Sequence, residues 1–166
     1  PGYLDFVGEV KQALRVAGSA VIVVDAKAGI EVGTELAWDY ASHAELPRAF
    51  FINKCDDPEA RFSRVFHELR EQFGISVCPV LIPILENDKI VGLLNLTNME
   101  ARLFDGSGEK VGEIPASFRE KAAEYRNMFL ESIAETDEAL MEKFFAEEEM
   151  TKEEIDKALH DGILSH

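Results

Sequence analysis

Three polar side chains crowd the end of an apolar run: Asn53, Lys54 and Asp56, within RAFFINKCDD (residues 48–57). An ionised carboxylate only accepts hydrogen bonds, and it can take two in parallel. Guanine offers such a pair from its N1–H and its exocyclic amino group. Adenine presents an acceptor at that ring position and lacks the amino group. A site built around Asp56 would leave polar atoms unpaired with the wrong base, which is a strong basis for rejection. The methylene stem of Lys54 can lie across a flat base while its ammonium ties neighbouring loops together. Asn53 carries both donors and an acceptor, so it can brace two loops. A chance tetrapeptide is the bland alternative. What raises Asn-Lys-x-Asp above it is its position, ending a buried strand and preceding a helix. A second cue lies at the start of the chain, PGYLDF. Pro1 and Gly2 can close a tight turn before a helix, and a free glycine amide at a helix start suits a phosphate oxygen.

The surrounding pattern supplies the elements that must hold these residues. Phe6, Val7, Val10, Leu14 and Ala17 fall at helical spacing, and Gly18 ends that helix. SAVIVVDA (residues 19–26) is a continuous β-branched run, expected in a parallel sheet buried on both faces. Thr34 reads as the cap of a helix reaching about Ala44. RAFFIN is a second buried strand. Asp57-Pro58 reads as a capping acid before a proline at the first helical position. Phe62, Val65, Phe66, Leu69 and Phe73 then form a helical stripe that Gly74 terminates. Helix, strand, helix, strand, helix describes part of a doubly wound α/β domain, where ligands sit at the carboxyl ends of the strands. Asn53, Lys54 and Asp56 are at such an end.

The character changes near Gly74. VCPVLIPIL is apolar with two prolines, ENDK is a turn, and IVGLLNLTNMEARLF returns as strand by antiparallel pairing. DGSGEKVGEIP reads as a turn-like, glycine-rich stretch. Pro115 opens a helix with Phe118, Ala122, Tyr125, Phe129 and Ile133 inward. A shorter helix holds Leu140, Met141 and Phe144. Thr151 and Glu154 form a capping box that starts a last helix with Ile155 and Leu159 inward. Residues 74–166 are thus expected to form an α+β unit after residues 1–73.

The 166 residues carry a net charge of −15, with 8 basic and 12 acidic residues up to Cys78 and 9 basic and 20 acidic beyond it. Such a surface repels nucleic-acid backbone and argues against direct DNA or RNA binding. The acidic second half is either a solvated helix face or a docking face for a basic or amphipathic partner. No apolar run approaches the roughly 20 residues of a membrane span. With only Cys55 and Cys78, no disulfide framework is expected, and a reducing cytoplasm is the expected setting. Cys55 fills the variable slot of the motif and is assigned no chemistry. Asp5 and Glu9 read as solvated carboxylates. His43, His67, His160 and His166 share no metal-ligand spacing.

Taken together, the long stretches PGYLDFVGEVKQALRVAGSAVIVVDAKAGIEVGTELAWDYA, LPRAFFINKCD and SFREKAAEYRNMFLESIAETDEALMEKFFAEEEMTKEEI resemble the translational GTPases, specifically the elongation factor G family. The resemblance covers essentially the whole chain. It implies an α/β fold: a partial P-loop GTPase-type parallel sheet with helices (residues 1–73, from switch II to the helix after the guanine motif). An α+β insert, the G′ subdomain, follows (residues 74–166). It implies that Asn53, Lys54 and Asp56 bind guanine of GTP or GDP and that the Gly2 amide senses the γ-phosphate. Mg2+ would be held by ligands mostly outside these residues. The family has histidine after that glycine, where it positions the attacking water. Here Tyr3 stands in its place, as in elongation-factor-G-like paralogues. A phenol with a pKa near 10 stays neutral and does not act as an imidazole near pH 7. GTP binding with slower hydrolysis by the full-length protein is the expectation, acting on the ribosome in translation. A non-hydrolysing GTP- or ribosome-binding regulatory or protection module is the alternative. No G-x-x-x-x-G-K-[ST] loop occurs in these residues, so a fragment of a longer protein, inactive by itself, is expected. In the family the insert meets the acidic, mobile ribosomal stalk protein. That partner would require an apolar groove here, because the insert is itself acidic.

Overall fold

The computed structural model describes residues 4–87, 89–106 and 108–164. The chain divides into two compact units, Pro1–Glu68 with Asp161–His166, and Leu69–His160.

In the first unit a 3-10 turn (Leu4–Phe6) leads into α1 (Val7–Leu14), followed by β1 (Ala20–Asp25), α2 (Val32–His43), β2 (Arg48–Asn53) and the start of α3 (Phe62–Phe73). β1 and β2 pair in parallel, in register from Ala20↔Arg48 to Asp25↔Asn53. The two strands therefore end level with each other. Ile22 and Val24 are buried with Ala26, Ala41, Val65 and Phe66, while Trp38 stacks on Phe50 at 5.1 Å and Arg48 lies over Trp38. The expectation of two buried faces is corrected here. Val21, Val23 and Phe51 are 65%, 60% and 56% exposed, because the described residues cover only one face of the pair. The first helix is likewise shallower than its pattern suggested: Phe6 is exposed and α1 has no buried residue.

Two capping expectations are also corrected. α2 begins at Val32 with Glu31 as its cap, and Thr34 stands at the third helical position, its hydroxyl accepting from the Glu31 N–H at 3.2 Å. Asp57-Pro58 opens a turn rather than α3. The Asp57 carboxylate accepts from Glu59 N at 2.8 Å and its carbonyl from Ala60 N at 2.9 Å. The Arg61 N–H goes to the Ala26 carbonyl, so the helix starts only at Phe62.

In the second unit β3 (Leu81–Glu86), β4 (Lys89–Asn95), β5 (Glu100–Asp105) and β6 (Gly108–Gly112) form an antiparallel sheet in that order. Pro83 is tolerated because β3 is an edge strand. The stretch read as one returning strand is two. Asn95 and Asn98 accept from Thr97 N and Glu100 N at 2.8 and 3.1 Å and turn the chain between β4 and β5. The glycine-rich stretch read as a turn contains β6, an exposed edge strand paired with β5. A Cβ on Gly92 would meet the Arg102 carbonyl oxygen at 2.4 Å, so the close approach of β4 and β5 requires glycine there.

A 3-10 turn (Ala116–Phe118), α4 (Arg119–Ala134), α5 (Glu138–Phe145) and α6 (Lys152–Leu164) follow. Phe118, Ala122, Tyr125, Phe129 and Ile133 are all buried, as their spacing predicts. Asp137 caps α5 through Ala139 N and Leu140 N. Thr151 and Glu154 form the expected capping box at 3.2 and 2.8 Å. The Arg70 guanidinium, at the end of α3, donates to the Ile75 and Val77 carbonyls, the Ser132 hydroxyl and Glu131, at 2.8, 3.0, 2.7 and 2.6 Å. Gly74 ends α3 at φ +97°, the left-handed stop that the sequence suggested.

Candidate functional site

The level ends of β1 and β2 bring two loops together. Asp25 closes β1, and Asn53 closes β2 directly opposite it. Ala26 N donates to the Asn53 carbonyl at 2.9 Å, which continues the pairing one step past the strands. The chain then leaves β2 through Lys54 at φ +57°, a left-handed conformation that disfavours a side chain. The Lys54 ammonium donates to Asp25 Oδ2 at 2.8 Å. Asp25 Oδ1 accepts from Lys27 N at 2.8 Å and Ala28 N at 3.2 Å. These donors, Lys54 foremost, hold the Asp25 carboxyl down to about 2, and Asp25 in turn raises Lys54.

The loop after Asp25 is fastened by α3 and the turn before it. Arg64 donates to the Lys27 carbonyl at 2.7 Å and pairs with Glu68 at 2.9 Å, while the Lys27 ammonium pairs with Glu59. Cys55 is half-buried, its thiol donating to the Ile52 carbonyl at 3.4 Å. Burial, then Asp56, pushes that thiol up. Asp56 stands exposed in the turn beyond.

Asn53, Lys54 and Asp56 thus stand exposed on one segment at the carboxyl end of a parallel pair. Pro1, Gly2 and Tyr3 lie outside the described residues. Sequence reasoning passed over Asp25. The available signal was an acid ending the neighbouring strand, in VVDA, where the ligand-bearing edge of such a sheet lies. Among the described residues no cluster of three or more His, Cys, Asp or Glu is placed to hold a metal ion.

The sequence matches the family model described as the elongation factor Tu GTP binding domain over residues 1–159. The chain belongs to this family. Membership in the elongation factor Tu GTP-binding-domain family bears out the resemblance to translational GTPases of the elongation-factor-G-like kind. A crystal structure of a Thermus thermophilus protein is similar to this family member, with a TM-score of 0.84 and 37% identity over 99% of the chain. The chain spans 24% of the length of that protein's chain. No described helix is long and apolar enough to cross a membrane.

The donor set fits a guanine base. Asp56 supplies acceptors only, Asn53 both kinds, and Lys54 an exposed apolar stem with its charge already engaged. The described residues offer no comparable set for Mg2+.

Proposed function

We propose that this chain supplies the guanine-recognition edge and the inserted subdomain of a ribosome-associated translational GTPase. The full-length protein binds GTP and hydrolyses it to GDP with water, and the change of nucleotide drives a conformational change in translation. In this reading residues 1–73 are part of the G domain and residues 74–166 are a G′-like α+β insert. Asp56 accepts from the N1–H and amino group of guanine. The Lys54 stem packs on the base, and Asn53 braces the neighbouring loops. The Gly2 amide senses the γ-phosphate. Tyr3, in place of the family's histidine, makes hydrolysis slow. The chain alone neither holds GTP tightly nor hydrolyses it, because phosphoryl transfer needs a phosphate cradle, Mg2+ and a positioned water.

The observation that carries the reading is Asn53, Lys54 and Asp56 in sequence at the end of β2, beside the level end of β1. Equilibrium binding of GDP and ADP to the full-length protein tests it. Preference for GDP by about 10⁴-fold or more is expected of a site that pairs both guanine donors. Comparable affinities would refute it. Tyr3 favours the second reading, a non-hydrolysing regulatory or protection module. Single-turnover hydrolysis on ribosomes separates the two. The first reading predicts measurable hydrolysis that Tyr3→His accelerates, and the second predicts none in the wild type.

The stalk protein is the proposed partner of the insert. A groove of about 760 Å³ of mixed character supports this, its lining combining Leu130, Phe144, Phe145 and Met150 with Arg126, Asn127 and the carboxylates of Glu147, Glu148 and Glu149. Phe145 is 77% exposed there. The cytoplasm is the setting such a partner implies.

A further inference from the structure

We propose that Asp25 is a positioning residue for nucleotide binding, holding the Lys54 ammonium so that the lysine stem stays fixed as a platform for the base. This rests on the guanine reading of Asn53, Lys54 and Asp56. A lysine on an exposed turn ordinarily samples many rotamers, and ordering it on binding weakens affinity. Lys54 is 65% exposed yet not free: its ammonium is held at 2.8 Å by Asp25, while the stem remains open to solvent.

Asp25 is itself immobilised. It closes a paired strand, and its Oδ1 is taken by the Lys27 and Ala28 amides, which leaves Oδ2 for the lysine. The loop carrying those amides is fastened through Arg64 to the Lys27 carbonyl. Lys54 leaves β2 in a left-handed backbone conformation, which sets where its side chain starts. The ammonium is thus anchored to the adjacent strand, 29 residues away in sequence, before any ligand arrives. Such preorganisation favours any flat base on the stem equally. It contributes affinity, whereas Asp56 contributes the choice of base.

Asp25→Asn is the informative variant. An asparagine Oδ1 still accepts from Lys27 N and Ala28 N, so the turn is kept. Its other atom is an NH₂, which cannot accept from the ammonium. Lys54→Met keeps the stem and removes the ammonium. In the full-length protein, binding of GDP and IDP is measured by displacement of methylanthraniloyl-GDP, with Tm recorded for each variant. IDP lacks the 2-amino group and so loses one bond to Asp56. Asp25→Asn is expected to weaken both nucleotides by the same factor, about 2- to 5-fold for an exposed ion pair, with Tm lowered by no more than about 4 °C. In the Lys54→Met background it should change nothing further. Wild-type affinity in Asp25→Asn, or losses that multiply in the double variant, would overturn the positioning role while the guanine reading stands. Equal wild-type affinity for GDP and IDP would overturn the guanine reading and this proposal with it.

Discussion

Replacing Arg70 with methionine keeps much of the side-chain volume and removes four hydrogen bonds made by one half-buried guanidinium. The losses are unequal. Ser132 keeps its bonds to the Ile75 and Met128 carbonyls at 2.8 and 3.1 Å, so neither it nor Ile75 is stranded. Glu131 is 44% exposed and returns to water. The Val77 carbonyl loses its guanidinium donor outright. One stranded carbonyl costs about 1–3 kcal/mol, and the lost charge-assisted bonds bring the sum to roughly 2–4 kcal/mol. At about 2–4 °C per kcal/mol for a chain of this size, Tm should fall by roughly 5–15 °C. Urea unfolding followed by circular dichroism reads the same loss in the transition midpoint. The internal comparison is Arg119→Met, which removes a pair to Glu113 at 3.7 Å with 64% and 94% exposed side chains. That change should cost at most about 0.5 kcal/mol. If Arg70→Met and Arg119→Met shift the midpoint equally, hydrogen bonding by Arg70 does not hold this unit together.

Other expectations follow from the same structure. The Asp25 carboxyl is held near 2 by Lys54 and two amides. Its folded value lies below the unfolded one, so its stabilisation is present above about pH 4 and is lost as pH falls towards 2. Carboxyl ¹³C shifts should show a midpoint near 2, and a midpoint near 4 would contradict the pairing. Burial pushes the Cys78 thiol up to about 12. At pH 8 Cys78 should therefore react with a disulfide reagent far more slowly than Cys55, with the difference vanishing in urea; equal native rates would refute the burial. Thr151→Ala removes the hydroxyl that accepts from Glu154 N. It should destabilise by about 1 kcal/mol and speed amide exchange in the first turn of α6; unchanged exchange would exclude the cap.

Much of the fold was legible because its signals are local. The stripe from Phe118 to Ile133 is set by helical period alone, and all five positions are buried. The Thr151 capping box is a four-residue signal and forms as read. What escaped depends on pairing across the chain. β6 looks like a turn because its glycines and charges suit an edge strand as well as a loop, and only its register with β5 decides. Residue type alone points to Thr34 and Asp57 as caps. Neighbouring backbone groups, at Glu31 and at Ala26, set where α2 and α3 begin. The strand that carries Asn53 was plain from its apolar run. The role of Asp25 was not, because its partner Lys54 lies across a parallel pairing whose register no short motif encodes.

The Asp56→Asn exchange tests base recognition most directly. An amide in place of the carboxylate presents one donor and one acceptor. That suits the C2 carbonyl and N1–H of xanthine and opposes the two donors of guanine. In the full-length protein the variant should bind XDP more tightly than GDP, reversing the wild-type order. Retention of GDP preference by Asp56→Asn would show that this carboxylate does not read the base.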